Sequence, residues 1–241
     1  MDTVPDAPYV RPEIRKDRPK ELRQLDEDRK EWIPRTILGR DVVKGTFASL
    51  DAILQKGTVI LEPEIVDHLV PDLKEDIIYI GGSPGKGGGT RRTATKRTAR
   101  VHKSGRRYKL TAMIIVGNGN GILGLGMASS KDHHAALAKA VIKSKLNVVR
   151  VRRGCGSWEC GCKTEHSVPF ESEGKAGSVR VRLLPAPKGV GIVADKSSKK
   201  LLQLAGIKDV WLKVFGNTGA RTNLVMATFD AIKNLNRRKG G

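Results

Sequence analysis

Between Lys109 and Met127 the chain has few ways to fold. Lys109 to Val116 is rich in apolar and β-branched residues, and Gly117-Asn118-Gly119-Asn120-Gly121 follows at once with residues that tolerate the positive φ of a tight hairpin turn. Ile122 to Met127 then runs back, Gly124 and Gly126 leaving one face bare for close backbone approach. Thr93 to Val101 alternates loosely and predicts a strand before this hairpin. Ser129-Ser130-Lys131-Asp132 resembles a capping box and predicts a helix to about Val149, burying Ala135, Ala138, Ile142 and Val149 with Val141 and Leu146 alongside, and Lys139 and Lys143 opposite. Three antiparallel strands and a helix make an α+β unit whose uncovered sheet face and loops are free for contacts.

Charge says what those contacts are. From Ile77 to Lys131 there is no Asp or Glu, while Lys and Arg crowd the first half, and the chain carries a formal charge of +20. A surface that gathers positive charge without internal compensation repels itself and is explained by a polyanion partner. Arg91, Arg92, Lys96, Arg97, Arg100, Lys103, Arg106, Arg107 and Lys109 are the expected phosphate contacts, with the turn at Asn118 and Asn120 approaching the nucleic acid through its backbone. Aromatic residues make up only 4% of the chain, which weighs against binding single strands by base stacking and favours phosphate and shape recognition. No apolar stretch is long enough to span a bilayer, so a membrane partner is not expected. The acidic, proline-containing start has no apolar signal core, and a soluble cytoplasmic protein is expected.

Two glycine patterns invite nucleotide readings and both fail. In Gly81 to Gly89, only three residues separate Gly81 from the Gly85-Lys86 pair where a phosphate loop has four, and Gly87 stands where Ser or Thr is required; a flexible glycine loop is expected. Gly119, Gly121 and Gly124 fit the dinucleotide fingerprint, but a strand follows instead of a helix, and only Ser and Lys lie near position 144 where an acid is needed. His133 and His134 have no nucleophile or paired carboxylate beside them. No enzyme is expected.

Cys155, Cys160, Cys162 and His166 lie within twelve positions, separated by glycines, and supply the four ligands of a structural Cys3His zinc site. The spacing is not the usual pair of C-x-x-C knuckles, and the other reading is of small buried residues in a glycine-rich loop with His166 opening a strand. Any metal would be structural, since four protein ligands leave no open position. Nothing couples a base to a single reactive thiol.

The remaining chain divides around this centre. Residues 1–31 form a charged extension, with a short helix around Lys20 to Lys30, and residues 32–72 a helical segment with faces at Leu50, Ile53, Leu54 and at Ile65, Val66, Leu69, Val70. Residues 73–150 hold the sheet and helix. Residues 151–241 form an α/β unit that begins with the cysteine loop: strands at His166–Phe170 and Ser178–Leu184, a helix at Ser198–Ala205 ending at Gly206, a strand at Val210–Phe215, and a helix at Thr222–Leu235 burying Val225, Phe229 and Ile232. The Arg237-Arg238-Lys239 tail suits a helix C-terminus.

G-R-R-Y-K-L-T-A-M-I-I-V-G-N-G-N-G-I-L-G-L-G followed by A-A-L-A-K-A-V-I-K-S-K-L-N resembles the signature domain of the universal S-five family of small-subunit ribosomal proteins. L-L-P-A-P-K-G-V-G-I-V, L-A-G-I-K-D-V-W and A-T-F-D-A-I-K resemble its C-terminal domain, and V-R-R-G-C-G-S-W-E-C-G-C with W-I-P-R-T-I-L-G-R resembles its archaeal branch. The glycine-rich insertion at Gly81 to Gly89 departs from the commoner pattern. The resemblance implies a double-stranded-RNA-binding-like domain, a three-stranded sheet plus helix, followed by an S-five domain 2-like β-β-α-β-α domain. It also implies contact with small-subunit rRNA, a place beside ribosomal proteins four and eight on the side where messenger RNA enters, and an influence on decoding accuracy. A free-standing RNA-binding regulator is the alternative.

Overall fold

The computed structural model describes residues 32–162 and 164–236. The expected extension over 1–31 and the Arg237-Arg238-Lys239 tail lie outside the described residues.

Three short helices come first: α1 (Ile37–Val43), α2 (Leu50–Gln55) and α3 (Pro63–Leu69). Helices of six or seven residues do not hold themselves in water. These are held by burying Val42, Leu50, Ile53, Ile65 and Val66 in one core with Ile77, Ile114, Val116 and Leu137 of the sheet unit. α1, which the sequence pattern did not announce, is capped by Thr36, whose Oγ1 accepts the Gly39 N–H at 3.0 Å. Glu62 closes the segment: its carboxylate accepts the Trp32 indole N–H at 2.8 Å and the Arg35 and Thr36 N–H groups at 2.9 and 2.6 Å.

The central sheet, among the described residues, contains β1 (Lys74–Ile77), β4 (Thr95–His102), β5 (Gly105–Gly117), β6 (Ile122–Ser130) and β7 (Val148–Arg150). The expected strand-strand-strand-helix order is its heart, and β1 and β7 extend it. β1 and β4 share one edge of β5, pairing with its Ile114–Gly117 and Gly105–Ala112 ends in turn. Gly81 to Gly89 is not the flexible loop expected from its glycines: β2 (Gly81–Pro84) pairs antiparallel with β3 (Thr90–Thr93), and only the tip between them is free of strand. The helix α4 (His133–Leu146) starts later than the capping-box pattern implied, because Ser129 and Ser130 continue β6 opposite Thr111 and Leu110. Its buried face is also turned from the expected one. Ala136, Leu137, Ala140, Val141, Ser144 and Lys145 are buried, while Ile142 is 46% exposed and Val149 belongs to β7.

The reason lies in the two glycines of β6. A Cβ at Gly126 would meet the Ala140 carbonyl oxygen and the Ser144 nitrogen at 2.3 Å, and one at Gly124 would meet the Ser144 carbonyl oxygen at 2.3 Å. Their bareness admits the backbone of α4 along Ala140 and Ser144, and this contact sets its rotation.

In the second unit β8 (Ser172–Ala176), β9 (Val179–Pro185), β10 (Ile192–Val193) and β11 (Val210–Phe215) form a sheet ordered β10-β11-β9-β8, with α5 (Lys196–Leu204) and α6 (Arg221–Asn234) packed on it. Val225, Phe229 and Ile232 are buried as expected. The first strand is Ser172–Ala176, not His166–Phe170, which instead follows the cysteine loop and joins it through an isolated bridge between Gly154 and Ser167.

The two units share a core. Met113, Ile115, Leu123 and Leu125, on the sheet face opposite α4, cluster with Leu201, Leu202, Val225, Phe229 and Ile232. The sheet face expected to be open is therefore covered by the second unit, and what remains free is the part of the sheet that projects beyond it.

Candidate nucleic-acid interface and metal centre

That projecting part is the β4–β5 ribbon. The first five residues of β5 and nearly all of β4 are exposed, with the tip at Lys103 and Ser104. Lys96, Arg97 and Arg100 stand on β4, Lys103 at the tip, Arg106, Arg107 and Lys109 on β5, and Arg91 and Arg92 on the neighbouring β3; all nine are exposed. Strand pairing puts Arg100 directly opposite Arg107 and Thr98 opposite Lys109. Because side chains alternate between faces, Lys96, Arg100, Arg107 and Lys109 share one face of the ribbon. Like charges directly opposite each other weaken a ladder. Among the described residues none of the nine forms an ion pair, and Arg107 only donates to Ser104 Oγ at 3.3 Å. On the other face the Arg97 guanidinium lies 3.6 Å from the centroid of the Tyr108 ring, a stack that fixes both side chains.

The Asn118–Gly121 turn is engaged inside the protein. Asn118 Oδ1 accepts the Asn120 and Ile122 N–H groups at 2.8 and 3.1 Å, Asn120 Oδ1 accepts Arg153 Nη2 at 2.7 Å, and the Gly119 N–H donates to Leu204 O at 2.9 Å. Gly206, with φ +82°, ends the α5 segment against it, where a Cβ would meet the Gly119 carbonyl oxygen at 2.3 Å. Beside the turn opens a cleft of about 660 Å³ lined by Asn120, Arg153, Lys199, Gln203 and Lys208. Sequence reasoning missed these three cations because they come from three separate segments.

The cysteine loop folds its ligands together. Cys160 Sγ lies 3.1 Å from Cys162 Sγ and 3.7 Å from His166 Nε2, Cys162 Sγ lies 3.7 Å from Cys155 Sγ, and the four candidate ligand atoms all fall within 4.8 Å of one another. Zinc–sulfur bonds of about 2.3 Å meeting at the tetrahedral angle set sulfurs about 3.8 Å apart, so the donor set fits that ion. Hydrogen bonds from the Thr164 hydroxyl and backbone bring the Cys162 thiol down to about 6, whereas lost hydration and the neighbouring thiols push Cys155 up to about 11. His166 is 4% exposed, and its Nδ1 lies 2.8 Å from Asp209 Oδ2, a partner that sequence spacing could not reveal. Burial opposes the charge on Asp209, but hydrogen bonds from the Gly191 N–H, the His166 ring and the Gly189 N–H outweigh it and hold the carboxyl below its ordinary range.

The shared core leaves the β4–β5 ribbon projecting from the central sheet, its cations without an ion pair among the described residues. The profile for ribosomal protein S5, N-terminal domain, matches residues 90–152, and that for ribosomal protein S5, C-terminal domain, matches residues 174–239. A small ribosomal subunit protein uS5 from Methanocaldococcus jannaschii is 48% identical over 206 residues, covering 86% of this chain and 88% of its own. Proteins of the same name from Nanoarchaeum equitans and Methanoregula boonei are 49% and 44% identical, covering 85% and 89% of this chain and 88% and 97% of theirs. The chain belongs to the ribosomal protein S5 family, in its archaeal form. That family is structural, and the chain is not an enzyme. Among the described residues no helix is long and apolar enough to cross a membrane.

Proposed function

We propose that the chain is a structural constituent of the small ribosomal subunit in the cytoplasm and holds small-subunit rRNA through its β4–β5 ribbon. The assembly follows from the name its relatives carry. The observation that carries the RNA contact is the Arg100–Arg107 cross-strand pair, flanked by Lys96 and Lys109 and, among the described residues, without an ion pair to an acid. Phosphate groups supply the absent charge, and an A-form helix offers them without demanding base readout. Arg91, Arg92, Arg97, Lys103 and Arg106 extend the contact, and Asn118 and Asn120 hold the turn beside the basic cleft, where a further stretch of backbone passes.

In this reading the chain works as an extension (1–31), a helical segment (32–72), an RNA-holding unit (73–150) and a second unit (151–241). Ribosomal proteins four and eight are its protein neighbours, on the side where messenger RNA enters. Its effect on accuracy is mechanical: an interface with protein four that differs in contact energy between two shapes of the subunit biases acceptance of a near-matched tRNA. Sedimentation tests the assignment. The tagged protein is expected to travel with small subunits through a sucrose gradient at physiological salt; recovery at the top would point to a free-standing RNA-binding regulator. Crosslinking from position 100 or 107 is expected to capture rRNA.

Cys155, Cys160, Cys162 and His166 hold a structural zinc ion in this proposal. The ion would tie the 155–162 loop to the segment leading into the second sheet, where Gly154 already bridges Ser167. Metal analysis of the purified protein tests this, with one zinc per chain expected and none overturning it.

A further inference from the structure

Asp209 is joined to two things at once. One carboxylate oxygen, Oδ2, lies 2.8 Å from His166 Nδ1, and the other, Oδ1, accepts the Gly189 and Gly191 N–H groups at 3.1 and 2.8 Å. Both residues are nearly sealed, Asp209 at 5% and His166 at 4% exposure, and the backbone repeats the link: the Lys208 and Asp209 N–H groups both donate to the His166 carbonyl at 2.9 and 3.0 Å.

We propose that Asp209 is the positioning residue of the metal centre, fixing His166 as the tautomer that offers Nε2 to the metal and tying the occupancy of that centre to the 187–191 turn. This rests on the zinc reading above and adds to it a residue outside the ligand set.

The chemistry is that of donors and acceptors. An ionised carboxylate only accepts, so the proton of a neutral His166 ring sits on Nδ1 and the Nε2 lone pair is left for a metal. Nε2 is the ring atom on the thiol side, 3.7 Å from Cys160 Sγ. The opposite tautomer would aim an N–H at the metal position and leave a buried carboxylate facing a bare nitrogen. The second oxygen reaches Gly189 and Gly191, whose φ values are +98° and +74°, in a turn closed within itself by the Val190 N–H donating to Pro187 O at 3.4 Å. Ring, carboxylate and turn thus form one chain of hydrogen bonds. Losing the metal frees the ring to rotate or change tautomer and loosens the turn.

Asparagine at 209 separates the parts because it has one acceptor and one donor where aspartate has two acceptors. With its oxygen kept on the glycine N–H groups, its NH2 meets Nδ1 and drives the ring proton to Nε2. With the oxygen turned to the ring, the NH2 opposes two backbone donors. Either orientation breaks a link.

Three readouts on the full chain test the proposal. In zinc-loaded wild-type protein, 15N spectra of the histidine rings should show His166 protonated at Nδ1; protonation at Nε2 would overturn it without any variant. In competition with a chromophoric chelator, Asp209→Asn should bind zinc about 10- to 100-fold more weakly than wild type while retaining its circular dichroism; equal affinity would sink the positioning role. Tryptic cleavage after the exposed Lys188 should accelerate when zinc is stripped from wild type, and an unchanged rate would remove the link to the turn. Should wild type take up no zinc, the metal reading itself falls. Zinc uptake with an unaltered Asp209→Asn removes only the role given to Asp209.

Discussion

Lys145 Nζ lies 2.7 Å from Asp67 Oδ1, with Glu75 Oε1 at 3.2 Å, and the lysine is only 2% exposed. One buried ammonium thereby joins α4 to α3 and to β1, the first strand of the sheet. Sealing three charges is costly, and the arrangement holds because the partners offset one another. The short N-terminal helices gain from it a fixed anchor on the sheet unit, beyond the apolar contacts they share with it.

Removing that ammonium takes from Asp67 and Glu75 a cation they hold in a largely buried site. Lys145→Ala is expected to lower stability by about 3–5 kcal/mol, the usual cost of breaking a buried pair from one side. Urea unfolding followed by circular dichroism measures it; a loss under 1 kcal/mol would show that the site relaxes to admit water.

Arg106→Ala with Arg107→Ala should weaken rRNA binding across sequences. If each arginine neutralises one phosphate, the slope of log K against log salt becomes shallower by about 1.4–1.8. Binding isotherms at four or five salt concentrations give the slope directly. An unchanged slope would place the phosphate contact elsewhere.

Zinc present at about a thousand times its Kd contributes about 4 kcal/mol by mass action. In a chain of this size that corresponds to a Tm shift of about 10 °C. Chelation should therefore lower the Tm of wild type by that order and leave Cys160→Ser, already lacking one ligand, nearly unmoved. Equal shifts in both proteins would show that the chelator acts elsewhere.

Burial of Glu62 works against its charge, but the Thr36 N–H, the Trp32 indole and the Arg35 N–H bring its carboxyl below its ordinary 4.5. A depressed carboxylate contributes stability that is whole above 4.5 and fades as pH falls through the lower folded value. Glu62→Gln should thus be less stable than wild type at neutral pH and converge with it in acid. Paired denaturation curves at pH 7 and pH 3 test this, and a difference independent of pH would contradict it.

How far the sequence announced this molecule depends on which residues are asked. The hairpin at 109–127 was plain, because Asn-Gly turns and β-branched runs act locally. Gly124 and Gly126 correctly signalled a close backbone, but not that it would be that of α4 turned to bury Lys145. An apolar count favours Ile142 over Lys145, and only tertiary contact with Asp67 and Glu75 reverses the order. Arg106 to Lys109 hid the start of β5, since a strand charged on both faces has no alternation to read. The four metal-ligand candidates were visible by type and proximity in sequence. Asp209, 43 residues beyond His166, was not, because nothing in the intervening chain encodes their meeting.

The shared core also bears on how the chain is born. Met113, Ile115, Leu123 and Leu125 leave the translating ribosome well before Leu201, Leu202, Val225 and Phe229 have been synthesised, yet the first group is sealed by the second. Throughout that interval the nascent protein displays a greasy sheet face beside a strongly cationic ribbon. Such an intermediate is prone both to self-association and to indiscriminate capture by nucleic acid, and only completion of the last helix ends the exposure.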